Sequence, residues 1–143
     1  MDAAEGRLKL QENVQAFLNE PRFAVLATVN ADGRPQQTVM WYQLRDGHIM
    51  MNTLRGRKKD RNLLRDGRAS ICVEAGQKYV TIDGHVSIVD DPTVGQEDIA
   101  TLARRYEGEE EGNRLSRDVF GPQERVTLLL SIDRIDAHGF DED

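Results

Sequence analysis

The chain has 143 residues, enough for one domain with a substantial core and too few for two of ordinary size. It carries 25 acidic and 19 basic side chains, a formal net charge of −6 and a pI near 5.1, which argues against bulk binding of nucleic acid or of an anionic membrane. Aromatic residues make up only 6% of the chain, so the interior must be built mainly from aliphatic side chains, and no apolar run approaches the ~20 residues of a membrane-spanning helix.

From the start, Met1 to Arg7 lacks the basic-then-apolar pattern of a secretory leader, and the expected location is the cytoplasm. Leu10, Val14, Phe17 and Leu18 then form one apolar stripe at helical spacing, which Pro21 ends. Residues 23–30 read as a buried strand, Asp32-Gly33 as a hairpin turn, and residues 35–45 as the return strand. Asp46-Gly47 turns the chain into a third strand over 48–53. A basic segment follows, with a helix of two to three turns, Leu63 and Leu64 facing inward and Gly67 as its C-cap. Residues 68–75 read as a fourth strand. A fifth over 79–90 is expected to bend near Gly84.

Cys72 is the single cysteine; it excludes an intramolecular disulfide and alternates with Ile71 and Val73 as a structural thiol. Thr93 with Gln96 resembles a capping box opening a helix that carries Ile99, Leu102, Ala103 and Tyr106. The acidic run Glu107 to Gly112 breaks that pattern and reads as a mobile solvated loop, or else as a lid. A last strand over 125–137 places Val126, Leu128, Leu130 and Ile132 on one face. Six strands linked mostly by hairpins, with helices in three places, make an α+β fold in a single domain spanning 1–143, whose antiparallel sheet is long enough to close into a barrel.

Chemistry concentrates in the basic segment. Between Thr53 and Arg68 lie seven of the 19 bases and two acids. A basic island on an acidic body suits a small anion. It follows a strand and opens a helix, so backbone N–H groups, the helix dipole and guanidinium forks converge as a phosphate site requires. No aromatic side chain interrupts this stretch to stack a base, which argues against nucleic acid. His48, His85 and His138 are scattered, and no metal site is expected.

The hairpin Ala24-Val25-Leu26-Ala27-Thr28-Val29 to Asp32-Gly33-Arg34-Pro35 resembles the opening of the flavin-binding split β-barrel superfamily of the pyridoxamine 5'-phosphate oxidases. Arg57-x-Lys59-x-Arg61-Asn62-Leu63, followed by Arg65-Asp66-x-Arg68-Ala69-Ser70, is similar to that superfamily's phosphate segment, in particular to its group that uses coenzyme F420. Tyr79-Val80-Thr81-Ile82-Asp83-Gly84-His85-Val86 resembles the strand where a glycine closes the barrel. The resemblance covers residues 23–135 and implies a six-stranded antiparallel split barrel with a few flanking helices.

It further implies Arg57 and Lys59 on the cofactor phosphate, with Arg55 and Lys58 as neighbours. Thr38, Val39, Met40 and Trp41 fall on the strand lining the ring, and Asn52 and Thr53 lie beside the ribityl chain. Trp41 has an equally simple role in core packing or at an interface. Members of the superfamily are homodimers with two cofactor sites at the interface, so the resemblance implies Gln77, Lys78 and Tyr79 reaching a site from the partner chain. The chain stops soon after its sixth strand, without the longer C-terminal segment of pyridoxamine phosphate oxidases themselves, so oxidation of vitamin B6 is not expected. The extra cations Arg55, Lys58 and Arg61 suit the carboxylate-bearing tail of F420 better than the lone phosphate of FMN. The implied function is hydride transfer between F420 and a small conjugated or planar substrate. The alternatives are an FMN-dependent oxidoreductase or a non-catalytic flavin- or haem-type binding module on the same fold. No residue stands out as a general acid, and no catalytic residue is assigned.

Overall fold

The computed structural model describes residues 10–140; Met1 to Arg7, read above for its lack of a leader, lies outside them. Among the described residues no helix is long and apolar enough to cross a membrane. Helix α1 (Glu12–Asn19) buries Val14, Phe17 and Leu18, the predicted stripe, and Leu10 packs beside it. The sheet follows: β1 (Ala24–Val29), β2 (Pro35–Met40), β3 (Gln43–Arg45) and β4 (His48–Leu54). Then come α2 (Lys58–Arg65), β5 (Arg68–Ala75), β6 (Lys78–Val89), α3 (Pro92–Glu107) and α4 (Glu109–Leu115). A π-helical turn (Ser116–Phe120), β7 (Arg125–Ser131) and β8 (Arg134–His138) complete the chain.

All strand pairs are antiparallel, in the order β2-β1-β5-β6-β7-β4-β3, with β8 also on β6. This is the expected α+β split barrel, with eight strands because two of the six expected ones are interrupted. Both interruptions have a tertiary cause. The strand expected over 35–45 breaks at Trp41-Tyr42, where it leaves β1 and moves to β4. Tyr42 is fully buried; its hydroxyl donates to Leu18 O at 2.9 Å, and its own N–H donates to Tyr106 Oη at 3.0 Å. Arg105 Nε donates to Tyr42 O at 3.0 Å, so this peptide finds its partners on α3 and not in a ladder.

The second break, at Ile132-Asp133, lies beside the bend in β6. There Gly84 approaches β7 so closely that a Cβ would sit 1.8 Å from Ser131 O. Before the bend β6 pairs with β5 and β8; beyond it, β6 pairs with β7.

The sheet curls around one apolar core. Leu26, Met40, Ile49, Met51, Ile71, Val73, Val80, Ile82, Val126, Leu128 and Leu130 fill it, with Leu63 of α2 and the α1 stripe. The alternate residues of β4 and β7 face outward and are covered by α3: Met50 and Leu129 pack with Ile99 and Leu102. A strand covered on both faces reads as the continuous apolar run seen at Ile49-Met50-Met51.

Four local expectations are corrected. Leu64 is 62% exposed, because the inward face of α2 is Lys59, Asp60, Asn62 and Leu63, and one further residue turns 100° away from it. Gly67 does not cap α2; Asp66 holds the C-cap, and Gly67 O accepts from Val86 N–H at 2.8 Å as the sheet begins. The cap of α3 is Asp91, whose carboxylate accepts from the N–H groups of Thr93 and Val94, ahead of Pro92. Gln96 instead donates to the carbonyls of Phe120 and Gln123.

The acidic run is not a loop. Gly108, at φ +93°, separates α3 from α4, and Glu109-Glu110-Glu111 form the first turn of α4, where carboxylates suit the helix dipole. Gly112 then packs on α3, where a Cβ would stand 2.5 Å from Arg104 Cα.

Candidate functional site

Beside the sheet, the end of β2, the end of β4, α3 and the π-helical turn enclose a cleft of about 180 Å³. Its lining includes Val39, Met40, Trp41, Asn52, Phe120 and Arg125. Trp41 stacks on Tyr106 with ring centroids 5.3 Å apart and meets Phe120 edge-on at 6.3 Å. Tyr106 is itself fixed: its hydroxyl accepts from Tyr42 N–H and shares its proton between the carbonyls of Arg22 and Tyr42. Burial raises the pKa of both phenols above the ordinary tyrosine value, so they remain neutral donors. Trp41 packs against α3 on one side and forms the cleft wall on the other.

At the end of β4 the chain enters the basic segment, and its cations separate into three groups. Arg55 is fully engaged: Nη1 lies 3.3 Å from Asp60 Oδ1, Nη2 2.5 Å from Asp90 Oδ1, and Nε 3.7 Å from Glu124 Oε2. Asp60 is completely buried and also accepts from Gly56 N–H at 2.7 Å, so this cluster fixes the turn leading into α2.

The second group is Arg57, Lys59 and Arg125. Arg57 is exposed at the N-cap of α2 and supplies no side-chain cap, which leaves the first-turn N–H groups of that helix open. Lys59 is 7% exposed and Arg125 9%. Among the described residues none of the three has a carboxylate partner. Burial, then repulsion from Arg57 and Arg125, lowers the Lys59 pKa. Burial, reinforced by Arg57, brings Arg125 down to about 10. Three neighbouring cations without a carboxylate partner among the described residues, two of them desolvated, next to an uncapped helix N-terminus, present positive charge that an anion such as a phosphate would compensate.

Lys58 and Arg61 belong to the third group. They line a groove of about 430 Å³ against Asn30, Ala31 and Asp32 of the β1–β2 turn. Arg65 borders the same groove but is committed to Val29 O and Asn62 Oδ1.

The structure therefore brings Val39, Met40, Trp41 and Asn52 to the cleft, and Arg57 and Lys59 stand close to Arg125, which lines it. Thr38 lies further back on β2, accepting from Gln36 Nε2, and Thr53 is buried opposite Val126. Tyr79 is distant from the cleft of its own chain: it pairs with Glu74 and His138 and stacks on the His138 ring. Arg125 and Phe120 were missed by the sequence reading. Arg125 carried one signal, a cation opening an otherwise apolar strand. Phe120 carried none, because it follows a segment with no apolar period.

A family model described as pyridoxamine 5'-phosphate oxidase matches residues 10–139. Solved structures share the fold. A conserved hypothetical protein from Mycobacterium tuberculosis is 26% identical, with 96% of this chain and 89% of that one covered and a TM-score of 0.77. An F420 reductase is 24% identical, covering 89% and 98%, with a TM-score of 0.71. The haem storage protein HutZ from Vibrio cholerae is 24% identical, covering 93% and 97%, with a TM-score of 0.68.

Proposed function

This chain belongs to the pyridoxamine 5'-phosphate oxidase family, and from that premise we propose that it is an oxidoreductase that binds coenzyme F420 and serves hydride transfer to or from a small conjugated or planar substrate. One observation carries the reading: Arg125 lines a cleft walled by Val39, Met40, Trp41 and Phe120, and the uncompensated cations Arg57 and Lys59 stand beside Arg125. An aromatic, apolar slot joined to an anion receptor suits a planar ring carried on a phosphorylated chain. Bound there, the deazaflavin would supply a hydride-carrying ring carbon. The protein's contribution is to neutralise the phosphate, hold the ring edge with strand backbone, and keep water from the wall formed by Trp41 and Phe120. Among the described residues Lys58 and Arg61 add positive charge without an ion-pair partner in the groove beside the β1–β2 turn, and the carboxylate-bearing tail of F420 would gain from it more than FMN would. None of the three histidines lines the cleft, which favours a flavin-type ring over haem.

The proposal includes a homodimer. The outer face of β1, β2, β5 and β6 carries Val39, 64% exposed, and Tyr79, 39% exposed. A second copy on that face would complete the rim of the cleft at Val39.

Parallel fluorescence titrations of the purified protein with F420 and with FMN test the reading. Low-micromolar or tighter binding of F420 with much weaker FMN binding supports it. The reverse preference assigns the chain to FMN chemistry, and binding of neither overturns the cofactor claim.

A further inference from the structure

Arg125 opens β7 directly opposite Leu54, the last residue of β4, and Arg55 N–H donates to Glu124 O at 2.8 Å beside it. The sheet thus holds Arg125 next to the start of α2, which bears Arg57 and Lys59. Its guanidinium is braced on three sides. Nε donates to Asn52 Oδ1 at 3.0 Å, Nη1 donates to Gln123 Oε1 at 2.8 Å, and Cζ lies 4.9 Å from the centre of the Phe120 ring. Asn52 is held in turn by Gly95 O, 2.9 Å from its Nδ2. Gly95 permits this arrangement, since a Cβ there would stand 2.0 Å from Arg125 O. All these partners are neutral. Nη2 keeps both of its N–H donors uncommitted among the described residues, and the side chain lines the cleft.

A buried arginine placed for structural reasons is ordinarily paired with a carboxylate, as even the half-buried Arg55 is. One fixed by neutral acceptors keeps its whole charge for a ligand. We propose that Arg125 is the third phosphate-binding residue of this site, contacting from the sheet side the phosphate that Arg57 and Lys59 approach from the helix side. This rests on the cofactor reading above and adds to it a specificity: the site requires the phosphorylated form of the ring and rejects the free ribityl form. Held to neutral partners, Arg125 connects the phosphate end to the ring end through Asn52 and Phe120.

The test compares FMN with riboflavin, which differ only at the phosphate, and F420 with the deazaflavin that lacks both its phosphate and the tail joined to it. Dissociation constants are measured for the unmodified protein, Arg125→Ala, Arg125→Lys and Gln123→Ala, each with an unfolding curve. The expected result is a loss of about tenfold or more for the phosphorylated ligand in Arg125→Ala, with less than about twofold for its phosphate-free partner. Arg125→Lys keeps the charge but loses the planar fork, and the same selective loss should fall to about threefold. This variant decides the matter if Arg125→Ala fails to fold. Gln123→Ala leaves the charge in place and should weaken phosphorylated-ligand binding only slightly.

Equal losses for both members of a pair would make Arg125 a ring or fold residue and overturn the inference. Unchanged affinity in Arg125→Ala would do the same while leaving the cofactor reading intact. Binding of no ligand by the unmodified protein overturns the cofactor reading and this inference together.

Discussion

Arg55 and Lys59 stand four residues apart in one basic run and have opposite surroundings. Arg55 meets three carboxylates from three parts of the chain, Asp60, Asp90 and Glu124. Lys59 is more deeply buried and meets only two other cations. The first cluster satisfies itself and fixes a turn. The second is incomplete without an anion. The position of charge in a sequence therefore does not identify a binding site; the absence of a compensating charge in the fold does. Variants on the two sides of this comparison should separate stability from binding.

Removal of Asp60 should have the largest effect. Asp60→Ala strips a fully buried carboxylate from Arg55 and from Gly56 N–H, leaving both without their inner partner. Because Arg55 keeps Asp90 and some solvent contact, the loss should be about 3 kcal/mol, at the low end for a broken buried pair. Denaturant unfolding measures it. A loss below about 1 kcal/mol would place this cluster among surface ion pairs and erase the contrast.

Next come Arg57→Ala and Lys59→Ala, each expected to weaken cofactor binding by about 1.5–3 kcal/mol, as for a lost charge-assisted hydrogen bond. Arg65→Ala should leave binding unchanged, since Arg65 is committed to Val29 O and Asn62. If all three behaved alike, affinity would follow bulk charge and the separation of the cations would be wrong. Lys59→Met sharpens the point. It removes a desolvated, unpaired charge and retains the packing of the stem, so it should stabilise the free protein by about 1 kcal/mol while weakening cofactor binding. A thermal shift in one direction and an affinity change in the other would mark Lys59 as a residue kept for binding at a cost in stability.

Gly95→Ala probes the support under the second group. The added methyl must push α3 away from Arg125 O, for about 1–3 kcal/mol of destabilisation by overpacking. It should also disturb Asn52, and through it Arg125, so ligand affinity should fall along with stability.

The sequence displayed those parts of the molecule that local chemistry decides. The Asp32-Gly33 and Asp46-Gly47 turns, the α1 stripe and the bend at Gly84 were legible because each depends on a few adjacent residues. The breaks at Trp41-Tyr42 and Ile132-Asp133 were not. They follow from a strand changing neighbours and from the bend of β6 alongside, and neither leaves a local mark. Helix α4 was hidden because three glutamates between two glycines resemble a solvated loop; Gly112 is instead a contact residue beneath Arg104.

For the site, the resemblance supplied Val39, Met40, Trp41 and Asn52, which the structure gathers around one cleft. Arg125 comes from the far end of the chain and reaches the basic segment only through the pairing of β4 with β7. A reading by sequence position could not join it to Arg57.

The smallest expected effect is also a direct readout of the incomplete cluster. Burial and two cationic neighbours hold the Lys59 pKa below its ordinary 10.5 in the free protein. At pH values below this lowered pKa both folded and unfolded chains keep the proton, and the burden of the desolvated ammonium is present in full. Between the lowered value and 10.5 the unfolded chain binds more proton than the folded one, so stability rises with pH across that window. A bound phosphate acts in the opposite sense: it favours the charged amine and restores its pKa. Binding within the window must therefore take up protons, and affinity must fall as pH rises through it. Calorimetric titrations in buffers of different ionisation enthalpy should show no uptake at neutral pH and a fraction of a proton at the alkaline end of the stable range. Lys59→Met should cut that uptake to the part contributed by Arg125, whose pKa burial also lowers, while Arg65→Ala preserves it in full. Uptake left undiminished by Lys59→Met would assign the proton to another group and deprive Lys59 of its place at the phosphate.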